Sequence, residues 1–196
     1  MATDTRLDFG VAIERQVLAK SGTRADIAFV LKQRADVMEA CANLIVSAAR
    51  ETKNRLELSI VVSGDETFDG LVTAGKYDWK NDWITGKRFP VRPSQSGERK
   101  LVILHFGRYI SSKDAIKEAE KQGLERPTYE DCFRFGAQHP EVQRQFPLVF
   151  LHEPVRGGSG DPHVLYLDRS GSRRRLSCYW FGSGWHDVYR FVFVRK

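Results

Sequence analysis

Apolar residues recur at helical spacing along the first quarter of the chain. Ile27, Val30, Leu31, Val37, Met38, Cys41, Leu44, Ile45 and Ala48 form one stripe, over about six turns at 3.6 residues each. The stripe predicts a long amphipathic helix over 24–50 that buries it on a sheet, with Thr23 as N-cap and Asp26 in the capping-box position. A shorter helix is predicted over Leu7–Lys20, broken by Ser21-Gly22. The period then drops to two. Leu56, Leu58, Ile60 and Val62 share one face of a strand over Arg55–Val62. After a turn at Gly64-Asp65, a second strand is predicted over Phe68–Thr73, and Lys100–Phe106 reads as a strand buried on both faces.

Three helices follow. One is capped by Ser112 and ends at Gly123; one is capped by Thr128 with Asp131 in the box position; one opens with Pro140 at its first position. Leu148–Leu151 is a strand. Three more strands close the chain, over His163–Leu167, Arg174–Phe181 and Asp187–Val194, the first two joined by a turn at 169–172. In the last of them Val188, Val192 and Val194 alternate with Tyr189, Phe191 and Phe193, the pattern of a central strand covered on both sides. The order reads as a single α+β domain over 1–196. N-terminal helices, the long amphipathic one included, pack on a mixed sheet that ends in an antiparallel three-stranded tail.

With 196 residues, 41% hydrophobic and 29% charged, the chain has enough apolar material for a core. Its apolar runs fall far short of the roughly 20 residues of a membrane span. Met1–Phe9 contains Asp4 and Asp8 and lacks the apolar segment of a secretory signal. No membrane partner is expected. Cys41, Cys132 and Cys178 lie far apart without a C-x-x-C pair, which argues against a disulfide framework or a zinc site and for a reducing, cytoplasmic setting.

Charge changes this picture. The net charge is +6, yet the excess is concentrated in two windows that also hold all four tryptophans. Residues 74–100 carry seven Lys/Arg against three Asp/Glu, and residues 155–196 carry eight against three. Basic charge interleaved with flat rings suits phosphate backbones and unstacked bases. In the first window, an irregular loop over about 74–99, the candidates are Lys76, Lys80, Lys87 and Arg88 with Trp79 and Trp83; a short strand at Trp83–Thr85 or Arg88–Val91 would interrupt it. In the second they are Arg169, Arg173, Arg174 and Arg175 with Trp180 and Trp185, and Tyr179 beside them. The bland alternative is a solvated hairpin end with its rings in the core.

Two stretches carry a resemblance. They are Arg126-Pro-Thr-Tyr-Glu-Asp-Cys-Phe-Arg-Phe-Gly-Ala-Gln-His-Pro with Gln143-Arg-Gln-Phe-Pro-Leu-Val-Phe-Leu, and Trp180-Phe-Gly-Ser-Gly-Trp-His with Tyr189-Arg-Phe-Val-Phe-Val-Arg-Lys. The C-terminal third resembles uncharacterised bacterial proteins, a likeness that implies a recurring helix-strand-hairpin unit and transfers no activity and no site residues.

Catalytic signals are sparse. Gly157-Gly-Ser-Gly-Asp-Pro-His lacks a following helix and a Gly-Lys-Ser/Thr, so it fails as a phosphate loop. The five histidines show no H-x-H or H-x-x-x-H spacing. Cys178 and His186 could pair across the last hairpin, but Cys178 alternates in phase with Leu176 and Trp180 as a packed thiol does. Three readings remain: a non-enzymatic protein that binds RNA or DNA; an interaction module for an acidic protein; and a hydrolase-like enzyme built on His152, Glu153, Asp161 and His163. No cofactor, metal site or catalytic residue is assigned.

Overall fold

Phe191 and Phe193 point to one side of their strand and Val192 and Val194 to the other, and all four are at most 6% exposed. A strand with two apolar faces must lie inside a sheet with a layer on each side, and the sheet is built around it. The computed structural model describes Thr23, residues 54–157 and residues 160–196. The chain divides into two compact units, residues 1–52 and 53–196, and the elements below belong to the second.

In chain order they are β1 (Arg55–Val62), α1 (Phe68–Gly75), β2 (Trp79–Lys80), β3 (Gly97–Leu104), β4 (Ile110–Ser111), α2 (Ser112–Glu120), β5 (Leu124–Glu125), α3 (Tyr129–Gln138), α4 (Pro140–Gln145), β6 (Leu148–Arg156), β7 (Pro162–Ser170), β8 (Arg173–Trp180), β9 (Gly184–Trp185) and β10 (Arg190–Arg195). The main sheet runs β1-β3-β10-β6-β7-β8-β2, with β5 added to β10, and β4 pairs with β9 separately.

The expected helix-led α+β fold is corrected here. The described residues are mostly sheet, with ten strands and only four short helices. The helices expected over Leu7–Lys20 and 24–50 lie outside the described residues. The tail is no antiparallel three-stranded unit either. β7 and β8 form a hairpin, but β10 leaves it, pairs antiparallel with β3 and runs parallel to β6. Its two apolar faces can be covered only at the sheet centre, so burial outweighs sequence proximity.

One face of the sheet holds Ile60, Leu101, Ile103, Leu148, Phe150, Leu165, Leu167, Leu176 and Val192 against Leu71 of α1, Phe133 and Phe135 of α3, and Ile84 and Phe89 of the connecting loop. The other holds Val102, Leu104, Val149, Leu151, Val164, Phe191 and Phe193 against Ala115 and Ala119 of α2, Ile110 and Trp185. Phe68–Gly75 is a helix where a strand is expected. The Thr67 hydroxyl accepts the Gly70 amide at 3.1 Å, Lys76 closes the helix in the left-handed conformation (φ 45°), and Phe68, Leu71 and Val72 reach the core.

The stretch from Arg126 to Gln143 is a structural hub. Thr128 and Asp131 form a reciprocal capping box; Thr128→Ala is expected to lower thermal stability by about 1 kcal/mol in a melting experiment. Arg134, 4% exposed, grips Glu66 through two bonds of 3.2 Å. Burial alone would raise the Glu66 carboxyl, but Arg134 and the amides of Ser63 and Gly64 outweigh it and hold it at about 2. Gln138 exchanges two 2.8 Å hydrogen bonds with the backbone of Val61, and His139 Nε2 donates to the Ser59 carbonyl at 2.7 Å. The edge of β1 is thereby blocked against pairing with another strand.

Candidate nucleic-acid interface

The two basic aromatic windows are adjacent in space. β2 pairs in parallel with β8, so that Trp79 lies beside Arg175 and Lys80 beside Leu176. The amides of Asp78 and Asn81 extend the contact to the carbonyls of Arg174 and Leu176 at 3.0 and 2.9 Å. Asp78 Oδ2 also accepts the Arg174 amide at 2.7 Å. The rest of the first window is irregular. Turns replace the short strand expected at Trp83–Thr85 or Arg88–Val91: the Ile84 amide donates to Asn81, and those of Arg88 and Phe89 to Thr85. Buried Ile84 and Phe89 pin the loop to the core.

Alternation along β8 divides its side chains. Arg173, Arg175, Ser177 and Tyr179 face the side that carries Trp185; Arg174, Leu176, Cys178 and Trp180 face the helices. Beyond the β4–β9 ribbon the first side is partly uncovered. Trp79 is 47% exposed and Tyr179 is 50% exposed. Tyr179 meets Tyr166 edge-on at 6.3 Å, and Arg175 is held by the Asp168 carboxylate. That hydrogen-bonded pairing raises the Arg175 pKa further, so its charge is permanent. Arg173 stands exposed at the strand start, and Lys76 is exposed near β2.

Two candidates are withdrawn into the interior. Trp185 is 1% exposed; its indole N–H donates to Ser112 Oγ at 2.8 Å, and Tyr189 and Phe191 pack on its ring. Arg174 is 3% exposed and donates to the carbonyls of Gly75 and Gly136, at 2.6 and 2.5 Å, and to Gln143 Oε1. A buried guanidinium must be compensated on every side, so neither side chain meets a ligand. Lys80 is turned inward by a 2.7 Å bond to the Ile84 carbonyl. Trp83 carries the Arg88 guanidinium 5.0 Å over its ring and packs on Phe89. Lys87 is exposed, and Arg169 donates to the Gly171 carbonyl at the hairpin tip.

The polar quartet near the glycine loop does not assemble. His152 is 1% exposed: its Nε2 accepts the Leu165 amide at 3.0 Å and its Nδ1–H donates to the Glu153 carbonyl at 2.7 Å. The ladder between β6 and β7 breaks between Phe150 and Val155, and the imidazole supplies the acceptor that the bulge removes. Burial lowers its pKa to about 4. Glu153 points outward to Arg126, and His163 engages the Asp161 backbone carbonyl. Among the described residues no group of three or more His, Cys, Asp or Glu side chains is placed to hold a metal ion. No described helix is long and apolar enough to cross a membrane.

Known proteins add nothing to this picture. No family model matches the chain, and no curated protein or solved structure does. The stretches behind the resemblance do structural work. Gly182 lies under the Trp180 indole and Gly184 under the Tyr109 side chain, where a Cβ would stand 2.6 Å from the indole and 1.7 Å from the Tyr109 hydroxyl oxygen. Sequence reasoning missed Tyr166 as a member of the open face. Its phase with Asp168, opposite to Leu165 and Leu167, is the signal that marks it.

Proposed function

We propose that the protein binds nucleic acid without catalysis, through the surface where β2 lies beside β8. The parallel pairing of Trp79-Lys80 with Arg175-Leu176 carries the reading, because it joins both basic aromatic windows at one sheet edge. Trp79 and Tyr179 offer ring faces for bases, with Tyr166 behind them, and Arg173, Arg175 and Lys76 lie where phosphates would pass. The two thiols among the described residues, Cys132 and Cys178, support a reducing, cytoplasmic setting.

Fluorescence anisotropy with labelled RNA and DNA oligonucleotides over about 50–300 mM salt tests this. Affinity should fall steeply with salt, and Arg173→Ala should reduce the slope by about one. Trp79→Ala and Tyr179→Ala should each weaken binding about 5- to 100-fold, from ~1–3 kcal/mol of stacking per base. No binding at about 50 mM salt ends the proposal. An acidic protein captured in stoichiometric amount after nuclease treatment would replace it with the protein-partner reading.

A further inference from the structure

We infer that the cleft at the far end of β8 receives one unstacked nucleobase, which makes a single strand the preferred ligand. This deepens the reading above and rests on it. The cleft measures about 490 Å³ and is lined by Asn81, Trp83, His163, Cys178, Trp180 and Ser183 among others. Its rings have different jobs. Trp83 is a filled wall, with Arg88 at 5.0 Å and the His163 ring at 4.9 Å. Trp180 is the platform: its indole rests on Gly182 and is 50% exposed.

Hydrogen-bonding groups converge beside that platform. Asn81 Oδ1 accepts the Trp83 amide at 2.9 Å, which leaves the Asn81 –NH2 as a donor. His163 Nδ1–H donates to the Asp161 carbonyl at 3.0 Å, which leaves Nε2 as the ring nitrogen available to a guest. The carbonyls of Arg174 and Leu176 point from β8 toward β2. By alternation the N–H and C=O of Cys178 leave the same edge, past the end of β2. A flat guest with donors and acceptors around its rim matches this set, whereas an aliphatic guest would leave it unpaired.

Charge selects among flat guests. Arg88 stacks on the wall and its charge acts on Cys178 of the lining, and Lys87 is its exposed neighbour. This rim repels a quaternary ammonium and attracts the phosphates that accompany a base. A base inside a duplex has its edge paired and its faces stacked, so only an unpaired one can enter.

The test uses the full chain at about 50 mM salt, a labelled 12-nucleotide RNA, its duplex, and adenosine monophosphate. Wild type should bind the single strand at least about ten-fold tighter than the duplex. Trp180→Ala should weaken single-strand binding about 5- to 100-fold and duplex binding less than about two-fold. Gly182→Ala, whose Cβ would stand 2.6 Å from the half-exposed indole and turn it about its side-chain bonds, should reproduce part of that loss with a near wild-type melting temperature. The mononucleotide should quench tryptophan fluorescence in wild type and much less in Trp180→Ala. Single-strand affinity within about two-fold of wild type in both variants overturns the inference; if Trp79→Ala still loses binding, the interface survives without the cleft. Equal affinity for strand and duplex overturns it as well. Quenching that depends on Trp180 with no oligonucleotide binding overturns the strand and leaves a free-nucleotide site. No binding of any probe removes both proposals.

Discussion

Arg174→Ala is expected to cost about 3–5 kcal/mol of folding free energy, the usual result of removing one partner from a buried charged network. The guanidinium joins α1, α3 and α4 to β8. It reaches Gly75 and Gly136 through their carbonyls and Gln143 through its side chain. Its removal leaves three acceptors without donors in a site closed to water. Tyr77, whose ring lies 5.0 Å from the guanidinium, loses a packing partner too. Arg174→Lys should recover little, because one ammonium cannot reproduce a planar fork on three acceptors. Thermal melts should show a drop of about 10–20 °C. A melting temperature unchanged within a few degrees, with lost oligonucleotide binding, would return Arg174 to the interface.

The second large effect is acid destabilisation through His152. A histidine in the unfolded chain titrates near 6.5, whereas burial holds the folded imidazole to about 4. A base with a depressed folded-state pKa contributes its stability above the unfolded value. That stability declines as pH falls through 6.5, because only the unfolded chain takes up the proton, and the decline stops once the folded imidazole protonates near pH 4. At ~1.4 kcal/mol per unit the loss is about 3 kcal/mol. Glu66 acts in the next window down: its folded carboxyl sits near 2 against an ordinary 4.5, so its contribution is lost between those values. Urea unfolding of wild type and His152→Gln from pH 7 to 4 separates the two. The stability gap between the proteins should narrow by about 3 kcal/mol over that range. A constant gap would mean that the imidazole takes up its proton equally in both states.

Local chemistry was legible wherever short-range rules decide. The Thr128–Asp131 box, Pro140 at a helix start and the two-faced apolar strand could be read from the chain, although the strand expected over Asp187–Val194 spans Arg190–Arg195 and leaves Val188 exposed. Phe68–Gly75 could not. Its Phe, Val and Thr suggest a strand, and its helical state depends on the Thr67 cap and on packing of Phe68, Leu71 and Val72 against α3 and the sheet. The candidate interface was legible only in composition. Nothing local distinguishes Trp180, with an open face, from buried Trp185, or exposed Arg173 from interior Arg174 one residue on.

The sequence by itself determined the strand periodicity, the Thr128 cap and the clustering of cations with rings, since each depends on neighbours within a few residues; the cap expected at Ser112 is instead Ser111, whose hydroxyl accepts the Asp114 amide while Ser112 donates to the Phe181 carbonyl. Tertiary structure alone decided that β10 pairs with β3 and β6 and not with the β7–β8 hairpin, that β2 closes on β8, and which rings and guanidinium groups face water. Those outcomes depend on pairing and burial between segments about 100 residues apart, such as Asp78 and Arg174, and no short-range pattern encodes which partner closes over a given side chain.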